Sequence, residues 1–190
     1  MLNNLFSFPA VKPQEHKINT SHPHAMFDLA TAFRIHMLEA SAMGKDIIIL
    51  CIGTDRSTGD SLGPLTGTKF RSLHNHPHIF GTLDDPVHAT NLPATLLQIR
   101  EQYTLPYIVA VDACLGRLEN IGCVTIGKGP LKPGAAVNKD LPAVGDMYIT
   151  GIVNVGGFME HLVLQSTRLN LVMRMADTIA QGLAFGLRVH

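Results

Sequence analysis

Two short apolar runs constrain the fold of this chain more than any other feature: "DIIILCIG" (Asp46 to Gly53) and "YIVAVDA" (Tyr107 to Ala113). A strand with no polar face has no side to turn towards water, so it belongs inside a parallel sheet covered by helices on both faces. The surrounding sequence supplies those helices. Apolar residues recur at helical spacing over His24 to Met43, Ser61 to Leu73 and Thr90 to Tyr103, and Gly44 ends the first of these. Further strands are predicted over His78 to Leu83, Gly122 to Gly127 and Asp146 to Val153. The tail reads as two helices, Gly156 to Gln165 and Ser166 to Leu187, with Ser166 as the cap between them. Strands alternating with helices predict an α/β three-layer sandwich around a mostly parallel sheet.

A length of 190 residues suits one globular domain, taken as 24–190 behind a loose N-terminal arm, 1–23. Hydrophobic residues make up 46% and charged residues 16%, a balance that fills a core and argues against disorder. Lys+Arg and Asp+Glu are equal at 15 each, so no basic footprint points to nucleic acid. No apolar stretch is long enough to span a bilayer. The first residues, broken by Pro and His and lacking a basic start, do not read as a signal peptide. Cys51, Cys114 and Cys123 form no metal-type pair and read as buried free thiols in a reducing cytosol.

Ligands of open α/β sheets bind beyond the carboxyl ends of the strands. Two acidic residues fall there: Asp60, in the loop after the first apolar run, and Asp112, at the tip of the second. Asp60 lies in "TDRSTGDSLGP", whose Gly59-Asp60-Ser61-Leu62 spells the signature of a class of serine esterases. In those enzymes the serine directly ends the strand, whereas here Thr54 to Thr58 intervene. A nucleophilic serine also needs a positioned imidazole, and the only Asp-x-x-His is Asp85-Pro86-Val87-His88, in mid-chain. Asp60 has a structural role open to it as N-cap of the following helix. Asp112 is harder to explain structurally, because a carboxylate on a buried strand needs hydrogen bonds or a partner. Two converging carboxylates can share a proton or hold a divalent ion, and both arrangements activate water.

The loop "GTDRSTGDSLGP", with "VAVDACLGRLENIG" and "PGAAVNKDLPAVG", resembles the sporulation protein YyaC family of spore-forming Firmicutes, related to the spore germination protease. The resemblance runs from the first helix to the last. Gly53, Thr58, Asp60, Leu62, Gly63 and Pro64, then Asp112, then Asn138 and Lys139, follow at that protease's spacing or order. It implies the fold of the germination protease and the hydrogenase maturation endopeptidases, with Asp60 and Asp112 as the pair that hydrolyses a peptide bond. In the hydrogenase-processing relatives, acidic residues at those two places and a histidine bind nickel. No histidine occurs in "NKDLPAVGD", where the third ligand would come. The germination protease is also much longer and is made as a zymogen.

Lesser features carry paired readings. Thr54, Asp55, Arg56, Ser57 and Thr58 either bind substrate or satisfy their own loop. Asn138 and Lys139 either stabilise an oxyanion or order the Gly/Pro-rich loop, and the resemblance favours the former. His74, His76 and His78 read as an exposed, His-decorated helix end, with metal binding the alternative. Cys114 reads as a structural thiol. The expectation is a peptidase of the sporulating cell or spore, cytoplasmic, acting on a protein or peptide, with a divalent metal on Asp60 and Asp112 as the one cofactor this reading admits. Two alternatives stand beside it: a catalytically silent spore protein that binds a partner, and a serine esterase using Ser61. An oligomer is compatible with either class.

Overall fold

The computed structural model describes residues 15–76, 78–133 and 141–188. In chain order the elements are β1 (His16–Asn19), α1 (Ala25–Ala42), β2 (Asp46–Cys51), a 3₁₀ turn (Gly59–Ser61), α2 (Leu62–Leu73) and β3 (Ile79–Phe80). There follow α3 (Leu92–Gln102), β4 (Pro106–Gly116), a second 3₁₀ turn (Leu118–Asn120), β5 (Cys123–Lys128), β6 (Met147–Val155), α4 (Glu160–Gln165) and α5 (Leu169–Leu187). The strands form one sheet in the order β1-β5-β6-β4-β2-β3. β6, β4, β2 and β3 run parallel, while β5 and β1 close the other side antiparallel.

The two apolar runs lie side by side at the centre, as their composition requires. Ile49, Cys51, Val109 and Val111 face a core built with α1, α2 and α5. Their alternates Ile48, Leu50, Ile52, Ile108 and Ala110 face a second core built with Leu92, Leu96 and Ile99 of α3. Each fully buried Leu, Ile or Val side chain contributes roughly 1.5–3 kcal/mol, so neither strand tolerates a polar face before its tip.

Three expectations need correction. Residues 16–19, assigned to a loose arm, form the edge strand β1, whose single buried side chain, Ile18, gives a sequence reading little to find. The strand expected over His78 to Leu83 shortens to Ile79–Phe80, because Gly81 turns to φ +84 and packs its bare Cα against the Cys51 carbonyl. Ser166 does not cap α5. It closes α4, with its hydroxyl donating to the Val163 carbonyl at 3.2 Å, and α5 starts after Arg168.

Glycines bring α2 close to the sheet. Gly63 sits against the Ile52 backbone and Gly67 against the Gly81 carbonyl, one helical turn apart, with no room for a Cβ at either. This close approach holds the start of α2, and the turn before it, against the strand ends.

Candidate active site

The site is built on the carboxyl ends of β2 and β4, parallel neighbours registered residue for residue from Asp46/Pro106 to Cys51/Val111. The Ile52 N–H donates to the Val111 carbonyl at 2.7 Å, so Asp112 lies level with Ile52, one residue beyond β2. Gly53 then turns the chain at φ +148, in the region that favours glycine, and its N–H donates to the Val87 carbonyl at 2.8 Å. The loop closes on itself: the Thr54 N–H donates to the Asp60 carbonyl at 3.2 Å, returning Asp60 to the tip of β2. The 3₁₀ turn that carries Asp60 packs on β4, the strand that carries Asp112, and is backed by α4 and α5. Both aspartates are half-buried. Asp112 follows Ile108 and Ala110 at strand spacing, its Oδ1 accepts the Ala113 N–H at 2.8 Å, and its register partner on β6 is Thr150.

The N-cap position of α2 is Ser61 rather than Asp60, and no side-chain cap hydrogen bond is made there. Ser61 is only 5% exposed, and its hydroxyl donates to the Thr58 carbonyl at 2.7 Å, within its own turn. That geometry withholds the hydroxyl from a substrate carbonyl. A fluorophosphonate probe is accordingly expected to leave Ser61 unlabelled, as read by peptide mass spectrometry; labelling there would reinstate the serine chemistry.

The polar loop divides in two. Thr54 and Thr58 serve the loop itself: the Thr54 hydroxyl oxygen accepts the Arg56 N–H at 3.3 Å, and the Thr58 carbonyl accepts from Ser61. Asp55 and Arg56 are exposed at the loop's tip. Ser57 is buried, and its hydroxyl has no hydrogen-bond partner among the described residues. Asn138 and Lys139 lie outside the described residues. Sequence reasoning did not foresee the neighbour of this loop: Val87 forms a parallel bridge with Ile52, which places the Pro86–His88 segment beside the β2 tip.

Cys114 lies two residues beyond Asp112, where burial above all pushes its thiol up to about 11, against the pull of a hydrogen bond to Thr150. Cys51, fully buried, is pushed up to about 12. At pH 8 the Cys114 thiolate fraction is on the order of 0.1%, so iodoacetamide should modify it far more slowly than a free cysteine under the same conditions. Reaction at the free rate would mean an activated thiol.

The histidines after α2 are not an exposed decoration. Their rings run in contact from Phe70 through His74, His76 and His78 to Tyr103, with centroids 4.6 to 6.0 Å apart between successive rings. Burial first, and the neighbouring His78 and His74 second, lower the His76 pKa from 6.5 to about 4. The unfolded imidazole therefore takes its proton before the folded one, so this contribution to stability is complete above pH 6.5 and is lost as pH falls towards 4. Thermal melts across that window should show the decline, and His76→Phe should flatten it. Among the described residues, no three His, Cys, Asp or Glu side chains are grouped as ligands for a metal ion, at the histidines or at the aspartates.

Residues 17–182 match the model of a family described as "Protein of unknown function (DUF1256)". The chain belongs to this family. It is 54% identical over 162 residues to "Uncharacterized protein YyaC" of Bacillus subtilis, an alignment covering 83% of this chain and 79% of that protein. Among solved structures, the [NiFe] hydrogenase maturation protease HycI from Thermococcus kodakarensis superposes with a TM-score of 0.53 at 20% identity, covering 80% of this chain and 99% of that one. The family fold is thus that of the hydrogenase maturation protease, as the sequence resemblance implied. No helix among the described residues is long and apolar enough to cross a membrane.

Proposed function

We propose that this protein hydrolyses peptide bonds with Asp60 and Asp112, acting on a protein of the sporulating cell or spore. The observation that carries the reading is the meeting of two separate chain segments at one rim: the loop closed by Thr54 and Asp60 packs on β4, the strand that carries Asp112. The fold is shared with a protease. One carboxylate takes a proton from water as the oxygen attacks the scissile carbonyl carbon. The other, protonated, gives its proton to the leaving amine as the C–N bond breaks. Water is consumed, and a carboxylic acid and an amine are formed. Two carboxylates in one cleft divide these roles because both cannot ionise freely side by side.

An extended substrate would meet an apolar rim. Phe158, 88% exposed, and Met159, held at φ 56, lead into α4, the helix that backs the Asp60 turn. Phe158→Ser is expected to raise KM several-fold with kcat little changed, the mark of lost binding rather than lost chemistry.

The decisive experiment incubates the protein with small acid-soluble spore proteins and with an unstructured peptide mixture, with and without added divalent metals. New amino termini are read by mass spectrometry. Cleavage by the wild type and not by Asp60→Asn or Asp112→Asn supports the proposal. Equal behaviour of all three in every mixture would leave a binding module on a protease fold.

A further inference from the structure

We infer that the outer edge of the sheet is a self-association surface and that its occupant is a second copy of this chain. Among the described residues β1 pairs on one side only, with β5. The Thr20 N–H donates to the Gly122 carbonyl at 3.0 Å, so alternation turns the backbone groups of Ile18 and His16 towards β5 and those of Lys17 and Asn19 towards the open edge. A groove of about 680 Å³ follows that edge. Its strand wall is the unbroken run Glu15 to Asn19, odd and even residues alike, as an edge presents them and a sheet face does not. Its helix wall is Asp28, Thr31, Ala32 and Ile35 of α1.

α1 is apolar on two sides. One stripe, including Leu29, Phe33 and Met37, is buried in the core. The other holds Phe27, Thr31, Ile35, Leu38 and Ala42, spaced by three or four residues; Phe27 packs edge-on against Phe185 of α5, and Ile35 and Leu38 stand exposed by 49 and 56%. A solvent-facing helix has no need of this second stripe.

One two-fold operation covers both features. Antiparallel pairing of β1 with its copy continues the sheet and engages the outward groups of Lys17 and the outward N–H of Asn19, whose carbonyl already accepts the His22 N–H at 3.0 Å. The same rotation lays α1 against α1 of the copy on the same side of the sheet, stripe to stripe. The charges allow it: Lys17 shares the groove with Glu15 and Asp28, so opposite charges meet across the two-fold, and the chain carries no formal net charge. From Phe27 to Leu38 the stripe is roughly 17 Å long, and four strand residues add roughly 13 Å. Such an interface lies at the small end of specific contacts, so a dissociation constant on the order of micromolar is expected.

Sedimentation of the whole chain over a concentration series should show the mass rising from one chain to two. The double substitution Ile35→Glu, Leu38→Glu, at exposed positions, should weaken association at least about 30-fold while the melting temperature of the monomer stays within a few degrees. Hydrogen exchange at the Lys17 amide should slow as concentration rises. A one-chain mass throughout would overturn the inference, and with Lys17 already protected it would assign the edge to residues 1–14. A dimer indifferent to the double substitution, or one that leaves Lys17 exchange unchanged, would overturn it equally.

Discussion

Asp60→Asn and Asp112→Asn should each lower kcat/KM for peptide cleavage by about 10³-fold or more, on the order of 4 kcal/mol of transition-state stabilisation. Asparagine keeps the shape of the side chain and most of its hydrogen bonding, but it neither accepts the proton of the attacking water nor donates one to the leaving amine. Both residues are half-buried and belong to neither core, so the melting temperature should move little or rise, as it often does when charged groups at a working site are neutralised. The double variant sharpens the test. Two groups that act on the same water act as a unit, and removing the second then costs far less than removing the first. A double variant about 10⁶-fold impaired would mean independent roles. Full activity in either single variant would remove that residue from the chemistry.

The parts of this protein legible in its sequence are those where one physical requirement dominates. β2 and β4 were readable because a strand buried on both faces has no choice but to be apolar throughout, and the helices because their buried stripes are long. What remained hidden depended on distant partners. β1 is four residues with one buried side chain, and only its pairing with β5 makes it a strand. β3 ends early because the backbone of Gly81 approaches Cys51, two segments that nothing local connects. At the site, Asp60 and Asp112 were identifiable as acids near strand ends. The hydrogen bond from Thr54 that returns Asp60 to the rim, and the bridge that lays Val87 beside Ile52, arise only once the sheet exists. The serine esterase signature misleads for the same reason. Four letters do not reveal that the Ser61 hydroxyl turns inward to Thr58, whereas the five residues between the apolar run and the signature already hint at it.

Gly63→Ala should be among the most damaging single methyl groups in the protein, costing about 3 kcal/mol and lowering the melting temperature by roughly 10 °C. The helix itself would welcome alanine, by about 1 kcal/mol over glycine, so propensity alone predicts the opposite sign. Packing wins because the added Cβ would overlap the Ile52 carbonyl oxygen and lie 2.7 and 2.8 Å from the carbonyl carbon and amide nitrogen of the same residue. These are backbone atoms of the central sheet, and Ile52 is itself tied to Val111 at 2.7 Å. They cannot swing aside as a side chain would, so α2 must lift. Lifting α2 also carries the 3₁₀ turn, and Asp60 with it, away from β4. Thus Gly63→Ala should lose cleavage along with stability, even at temperatures where it remains folded, although residue 63 carries no reactive group. Gly44→Ala makes the contrast: nothing lies within 4 Å of its missing Cβ, and it pays only the strain of φ +65. Chemical denaturation of both variants beside the wild type decides the matter. A Gly63→Ala protein as stable as Gly44→Ala would show that α2 is not seated on the sheet by its glycines, and that something else holds Asp60 at the rim.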